Sequence, residues 1–126
     1  MELHIKDGVS MKLKFNFYLV YLNDLNKLNA FQFKKVVNAL AKYMEIDILV
    51  GFMEAGKTSY YVTHGIFRPN GSTDFYRKSH LGKKEQLYFS EGQELPVFSL
   101  TCNLQIGFQL CVETHFPDIT QTLALR

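Results

Sequence analysis

From Phe98 to Leu110 every even-numbered position is apolar: Phe98, Leu100, Cys102, Leu104, Ile106, Phe108 and Leu110. Between them stand Ser99, Thr101, Asn103, Gln105, Gly107 and Gln109. A period of two predicts extended chain with one buried face, folded back as a hairpin around Asn103 and stopping at Cys111. In this register Cys102 points into the core, while Cys111 falls on the polar side and is aimed at a cleft. Pro117 and Asp118 then open a helix, since a proline and an acidic residue both suit a first turn. Upstream, Phe33, Val36, Val37, Leu40, Ala41 and Met44 share one helical stripe and predict an amphipathic helix over residues 31–44. Residues 46–52 read as a largely buried strand, and residues 60–67, rich in β-branched and aromatic side chains, as a second. Residues 68–72 (Arg-Pro-Asn-Gly-Ser) have turn chemistry, and residues 73–77 read as the strand that delivers Lys78. Residues 1–30 show no clear period.

Composition adds bounds rather than chemistry. The 126 residues suffice for one small domain, and 47% hydrophobic with 21% charged residues describes an ordinary globular chain. A formal charge of +2 is too mild to call for nucleic acid or a membrane surface. The apolar run at residues 15–22 is short and interrupted by Asn16, so no membrane span is expected. Two cysteines without a signal-peptide pattern predict free thiols in a reducing, cytoplasmic setting. Cys102, Cys111 and His115 lack zinc-ligand spacing, and no metal or cofactor is called for. His4, His64 and His115 are expected to be satisfied surface or edge histidines.

Residues 51–58 (Gly-Phe-Met-Glu-Ala-Gly-Lys-Thr) spell the phosphate-loop pattern letter for letter. That motif works only when a helix begins at the Lys-Thr pair, because the helix N-terminus holds the phosphates. Here Ser59, Tyr60, Tyr61, Val62 and Thr63 follow, which favour a strand. A nucleotide binder is therefore only a remote alternative.

A thiol at a strand end, just before a helix, suits a nucleophile, because partial positive charge there favours the thiolate. Taken alone, such a cysteine is as readily a small half-buried packing residue. The upstream block Tyr76, Arg77, Lys78, His80, Leu81 changes the balance, followed by Glu85, Phe89 and Gly92. Then come Gly107, Cys111, Glu113, Phe116, Pro117 and Asp118. In order and spacing these resemble the nitrilase, or carbon–nitrogen hydrolase, superfamily. Its members carry Tyr-Arg-Lys-x-His-Leu, a Glu before a Phe-x-x-Gly turn, and Gly-x-x-x-Cys followed by an acidic residue and Phe-Pro-Glu or Phe-Pro-Asp.

The resemblance, strongest over residues 46–126, implies an α/β fold: part of the family's α-β-β-α sandwich, a mixed sheet packed by helices. Residues 1–126 then form a single incomplete domain, truncated at both ends, since the family's domain is longer. It implies a cysteine hydrolase cleaving a non-peptide carbon–nitrogen bond of a small amide or nitrile. Cys111 is the nucleophile, Lys78 the stabiliser of negative charge on the substrate, and Glu85 a second glutamate that positions substrate or lysine. Glu2 is the candidate general base, although Met1 stands where the family has Pro and Gly8 comes one residue late. Taken singly, Lys78 is one more surface lysine and Glu85 a partner of Lys83 or Lys84. His80 is expected to make a structural hydrogen bond. A homo-oligomer is expected if the full-length domain forms. The alternative is an inactive remnant of the family, and the chain alone is expected to turn over substrate poorly.

Overall fold

The computed structural model describes residues 2–4, 10–12 and 30–126, with the backbone alone for 2–4, 10–12 and 30–32. Strands β1 (Glu2–His4) and β2 (Ser10–Lys12) form an antiparallel ribbon in which Glu2 faces Lys12 across the pair. The Glu2 side chain and the apolar run at 15–22 lie outside the described residues.

Helix α1 (Ala30–Met44) packs on an antiparallel sheet of β3 (Ile48–Ala55), β4 (Tyr60–Phe67) and β5 (Thr73–Arg77), in that order. Val37, Ala41, Val50 and Phe67 form the buried centre, with Phe33, Ile48 and Phe75 packed around it. The helix buries a narrower seam than its apolar stripe suggests. Val36 is 58% exposed and Leu40 37%, because the three-stranded sheet covers the side of the helix that carries Phe33, Lys34, Val37 and Ala41, with the Lys34 amine 4.2 Å from the Phe75 ring centre. β3 also departs from the expected buried strand. It begins at Ile48 rather than Ile46 and alternates: Val50 and Phe52 face α1, while Leu49 and Met53 face away and are 43% and 45% exposed. A strand covered by a helix on one face only must alternate.

Between β3 and β4 the chain turns tightly. Gly56 N–H donates to Ser59 C=O at 2.7 Å, and Ala55 pairs with Tyr60. No helix starts at Lys57, so residues 51–58 cannot cradle phosphates and the nucleotide alternative is removed.

Strands β6 (Val97–Ser99) and β7 (Gln105–Gly107) form the hairpin expected around Asn103, which sits at a φ of 63°. The two strands are three residues each, and the apolar alternation runs on through the turn between them. A turn no longer sends alternate side chains to opposite faces, and so Cys102 is exposed rather than in the core. Leu104 is 57% exposed for the same reason. The hairpin is pinned to the three-stranded sheet at one end by Arg68, which donates to Ser99 C=O at 3.0 and 2.7 Å and pairs with Asp74 at 2.7 Å. Asp47 adds bonds from the Thr101 amide and hydroxyl, at 2.7 and 2.5 Å. Farther along, Phe108 stacks on Tyr76, with ring centres 5.8 Å apart and planes 9° apart, and leans on His64 at 5.2 Å.

After β7 the chain makes a 3₁₀ turn (Cys111–His115) and then helix α2 (Pro117–Ala124), opened by Pro117 as expected. α2 folds back over β7. A Cβ on Gly107 would lie 2.8 Å from Leu123 Cδ2, so the glycine of the Gly-x-x-x-Cys block is what admits the helix.

Candidate active site

Lys78 follows directly on β5 and leaves the sheet buried, 1% exposed. Its backbone is held on both sides: its N–H donates to Val62 C=O at 2.8 Å, and its C=O accepts from Gly92 N–H at 2.8 Å. Only glycine fits at 92, since a Cβ there would lie 2.8 Å from the carbonyl carbon and Cβ of Arg77, and nearer still to the Arg77 oxygen. The Phe-x-x-Gly turn thus clamps the strand end that carries the lysine.

The lysine amine meets both oxygens of Glu85, at 2.9 and 2.6 Å. Glu85 stands in a second 3₁₀ turn (Glu85–Leu87) and also accepts from Gly82 N–H at 2.7 Å. Burial pushes its carboxyl up, but the hydrogen bonds from Lys78 and Gly82 and the charge of Lys78 outweigh that and hold it low. Glu85 is therefore the partner of buried Lys78, while Lys83 and Lys84 are exposed.

Cys111 is exposed and sits in the left-handed region at a φ of 54°, after Leu110 in extended chain. A non-glycine residue there costs about 1–3 kcal/mol and persists only where its surroundings impose it. Glu113, two residues on, supplies much of that constraint. It is fully buried. Its Oε2 accepts from Leu110 N–H at 2.8 Å. Its Oε1 accepts from Tyr76 Oη at 2.6 Å, Ser79 Oγ at 2.6 Å, Ser79 N–H at 2.8 Å and His80 N–H at 3.1 Å. Burial raises the Glu113 carboxyl, but the Ser79 and Tyr76 side chains and the Leu110 and Ser79 amides bring it below its ordinary value. Burial, together with the bond to Glu113, pushes the Tyr76 phenol up to about 12.

The structure thus brings Lys78 and Glu85 into direct contact and ties the loop after Lys78 to the turn that opens at Cys111. Glu2 heads the β1 ribbon, and its side chain is not described. His80 makes the expected hydrogen bond, Nδ1 to Ser79 Oγ at 3.0 Å, and its ring lies on Phe116 at 4.6 Å. His64 differs from expectation. Its Nδ1 is buried with no hydrogen-bond partner among the described residues, and desolvation lowers its pKa. A cleft of about 350 Å³ opens beside Arg77, Tyr61, Glu91 and Glu94, and none of Cys111, Lys78 or Glu85 lines it. Among the described residues no group of three or more His, Cys, Asp or Glu could hold a metal ion. Nor is any described helix long and apolar enough to cross a membrane.

Glu113 and Tyr76 have no role assigned to them by sequence reasoning. Glu113 reads as an acidic residue near a helix start, which is ordinarily solvated. Tyr76 heads the Tyr-Arg-Lys-x-His-Leu block, which gives its hydroxyl no role. The available signal is the fixed place of an acid two residues after the cysteine in the resembled motif.

The sequence profile of the carbon–nitrogen hydrolase family matches residues 27–126. The chain belongs to the carbon–nitrogen hydrolase family, a superfamily of hydrolases acting on carbon–nitrogen bonds. It is 30% identical over 98 residues to a probable nitrilase of Schizosaccharomyces pombe, covering 75% of this chain and 35% of that protein. It is 32% identical over 93 residues to N-carbamoylputrescine amidase of Arabidopsis thaliana, covering 69% of this chain and 31% of the plant protein. The chain therefore spans about a third of the length of these relatives. Among solved structures it resembles a carbon–nitrogen hydrolase superfamily protein of Xanthomonas campestris that carries an arsenic adduct in its active site. The TM-score is 0.60 at 20% identity, over 65% of this chain and 31% of the other. That likeness carries the fold: an antiparallel α/β arrangement flanked by helices, consistent with part of the nitrilase-type sandwich.

Proposed function

We propose that this chain carries the nucleophile and the charge-stabilising half of an active site that hydrolyses small amides or nitriles through a cysteine thioester or thioimidate. The observation that supports this most is a buried lysine amine held by Glu85 at 2.6 Å, on a loop bonded through Glu113 to the left-handed Cys111 turn. On an amide, the Cys111 thiolate attacks the carbonyl carbon, and the carbonyl π electrons move onto oxygen, where the Lys78 ammonium stabilises them. The C–N bond then breaks, and the amine leaves with the proton that a general base took from the thiol. Water adds to the thioester, gives its proton to the same base, and releases the acid and the thiol. Glu2 is the candidate for that base. Glu85 positions Lys78. Similarity to an amidase and a nitrilase points to small, non-peptide substrates.

The test assays the purified chain against short amides and nitriles beside Cys111→Ala, Lys78→Met and Glu2→Gln. Expected is slow turnover, abolished in Cys111→Ala and Lys78→Met. Loss in Glu2→Gln as well would identify the base. Turnover that survives Cys111→Ala overturns the assignment. No turnover, with Cys111 alkylated no faster than Cys102, favours an inactive remnant.

A further inference from the structure

We infer that Glu113 is a positioning residue: its buried carboxylate couples the Cys111 turn to the Lys78 loop and so sets where the thiol stands relative to the ammonium. The inference rests on Cys111 being the nucleophile. β5 and the loop after it come from one part of the chain, and the Cys111 turn comes from more than thirty residues later. Side-chain bonds across that separation converge on a single carboxylate. One oxygen gathers Tyr76 Oη, Ser79 Oγ and the Ser79 and His80 amides, all within two residues of Lys78. The other takes the Leu110 amide, immediately before the cysteine.

The chemistry of the group matters as much as its place. A carboxylate is acceptor-only on both oxygens and can serve donors on both sides at once. A glutamine of the same shape can offer its oxygen to one side only, and its NH₂ then faces an N–H. Leu110 is the residue that carries the chain into the left-handed Cys111, so its amide is the bond that orients the nucleophile. Losing it frees the turn to relax toward ordinary dihedrals and moves the thiol. A displacement near 1 Å at a reacting group costs on the order of a hundredfold in rate.

Cys102 is exposed in the hairpin turn and takes part in none of these bonds, and so serves as an internal reference thiol. The experiment measures iodoacetamide labelling of Cys111 relative to Cys102 by peptide mass spectrometry, on the full chain and on Glu113→Gln and Glu113→Asp. Amide hydrogen exchange at Ser79, His80 and Leu110 is followed in parallel. In the wild-type chain Cys111 is expected to label faster than Cys102. Glu113→Gln is expected to lower that ratio severalfold, because alkylation follows the thiolate and its electropositive neighbours, with a cooperative thermal transition retained. Glu113→Asp, which keeps the acceptor on both oxygens, is expected to restore part of the ratio. An unchanged ratio in Glu113→Gln overturns the inference, as does a melting temperature that falls while the ratio in the folded population holds.

If the wild-type ratio is already one, the nucleophile assignment fails, and the exchange data judge the coupling by themselves. Exchange accelerated in Glu113→Gln at Ser79, His80 and Leu110 together supports a coupled pair of turns. Acceleration at Leu110 alone reduces Glu113 to a local cap. Should Glu113→Gln not fold, Tyr76→Phe removes one donor from the same oxygen. It is expected to lower the labelling ratio, and no change there overturns the inference.

Discussion

Replacing Gly92 by alanine tests whether the clamp on Lys78 is as tight as the geometry says. The new methyl carbon would start 2.8 Å from the Arg77 carbonyl carbon. Ordinary carbon–carbon contact begins near 3.5 Å, so one of the two backbones must retreat by at least roughly 0.7 Å, and farther to clear the Arg77 oxygen, which lies nearer still. Neither is the end of a flexible side chain, since one is the last residue of β5 and the other is the turn itself. Overpacking that forces backbone shifts costs about 1–3 kcal/mol. The retreat also stretches the 2.8 Å bond from Gly92 N–H to Lys78 C=O, whose loss adds about 0.5–1.5 kcal/mol. The expected total is about 1.5–4.5 kcal/mol, a large share of a small domain's stability. Urea denaturation followed by circular dichroism measures it as a lower midpoint at unchanged slope. Because Lys78 moves with the strand end, Cys111 labelling relative to Cys102 should slow as well. A loss under about 0.5 kcal/mol, within the usual range for a neutral surface change, would refute the reasoning.

Two further outcomes follow from the same site. Lys78→Met should lower the unfolding free energy by less than the roughly 3–5 kcal/mol lost when one partner of a fully buried ion pair is removed, because the Glu85 left behind is one-third exposed and can hydrate. A loss beyond that would give Lys78 a structural role instead of a chemical one. For pH, Glu85 and Glu113 both have folded-state values below the ordinary 4.5. The unfolded chain then takes up protons first as pH falls. Their contribution is full above about pH 4.5 and is lost as pH drops through the lowered folded values. Thermal melting across the acid range should show a steep limb there, shallower in Glu113→Gln, and an equal limb in the variant would contradict the assigned partners.

How much of this was legible beforehand depends on whether the controlling contact is local. β4 and β5 were readable to the residue, since β-branched and aromatic runs bounded by Arg68-Pro69-Asn70-Gly71-Ser72 leave the backbone little choice. The helix after Phe116 was readable from Pro117 and Asp118. Burial was not readable in the same way. Val36, Leu40 and Leu49 are as apolar as Val37 and Val50, and only the area of sheet available decides which are covered. The alternation from Phe98 to Leu110 misled for Cys102 because periodicity reports side-chain direction only while the chain stays extended.

The site divides along the same line. The motif points to Lys78, Glu85 and Cys111 as residue types at set spacings, and the structure adds the contact between the first two. Glu113 was unreadable as anything but a motif letter, because its worth lies in five donors drawn from segments some thirty residues apart. An acid near a helix start is usually solvated, and here it is fully buried. Such a residue is costly unless every lone pair is used. Five bonds meet that condition only when both turns are in place, so Glu113 is stable buried only in the arrangement that holds Cys111 against the Lys78 loop. The fold therefore penalises a misplaced Cys111 turn directly, and the strain stored at Cys111 is balanced by a carboxylate that has nowhere else to go.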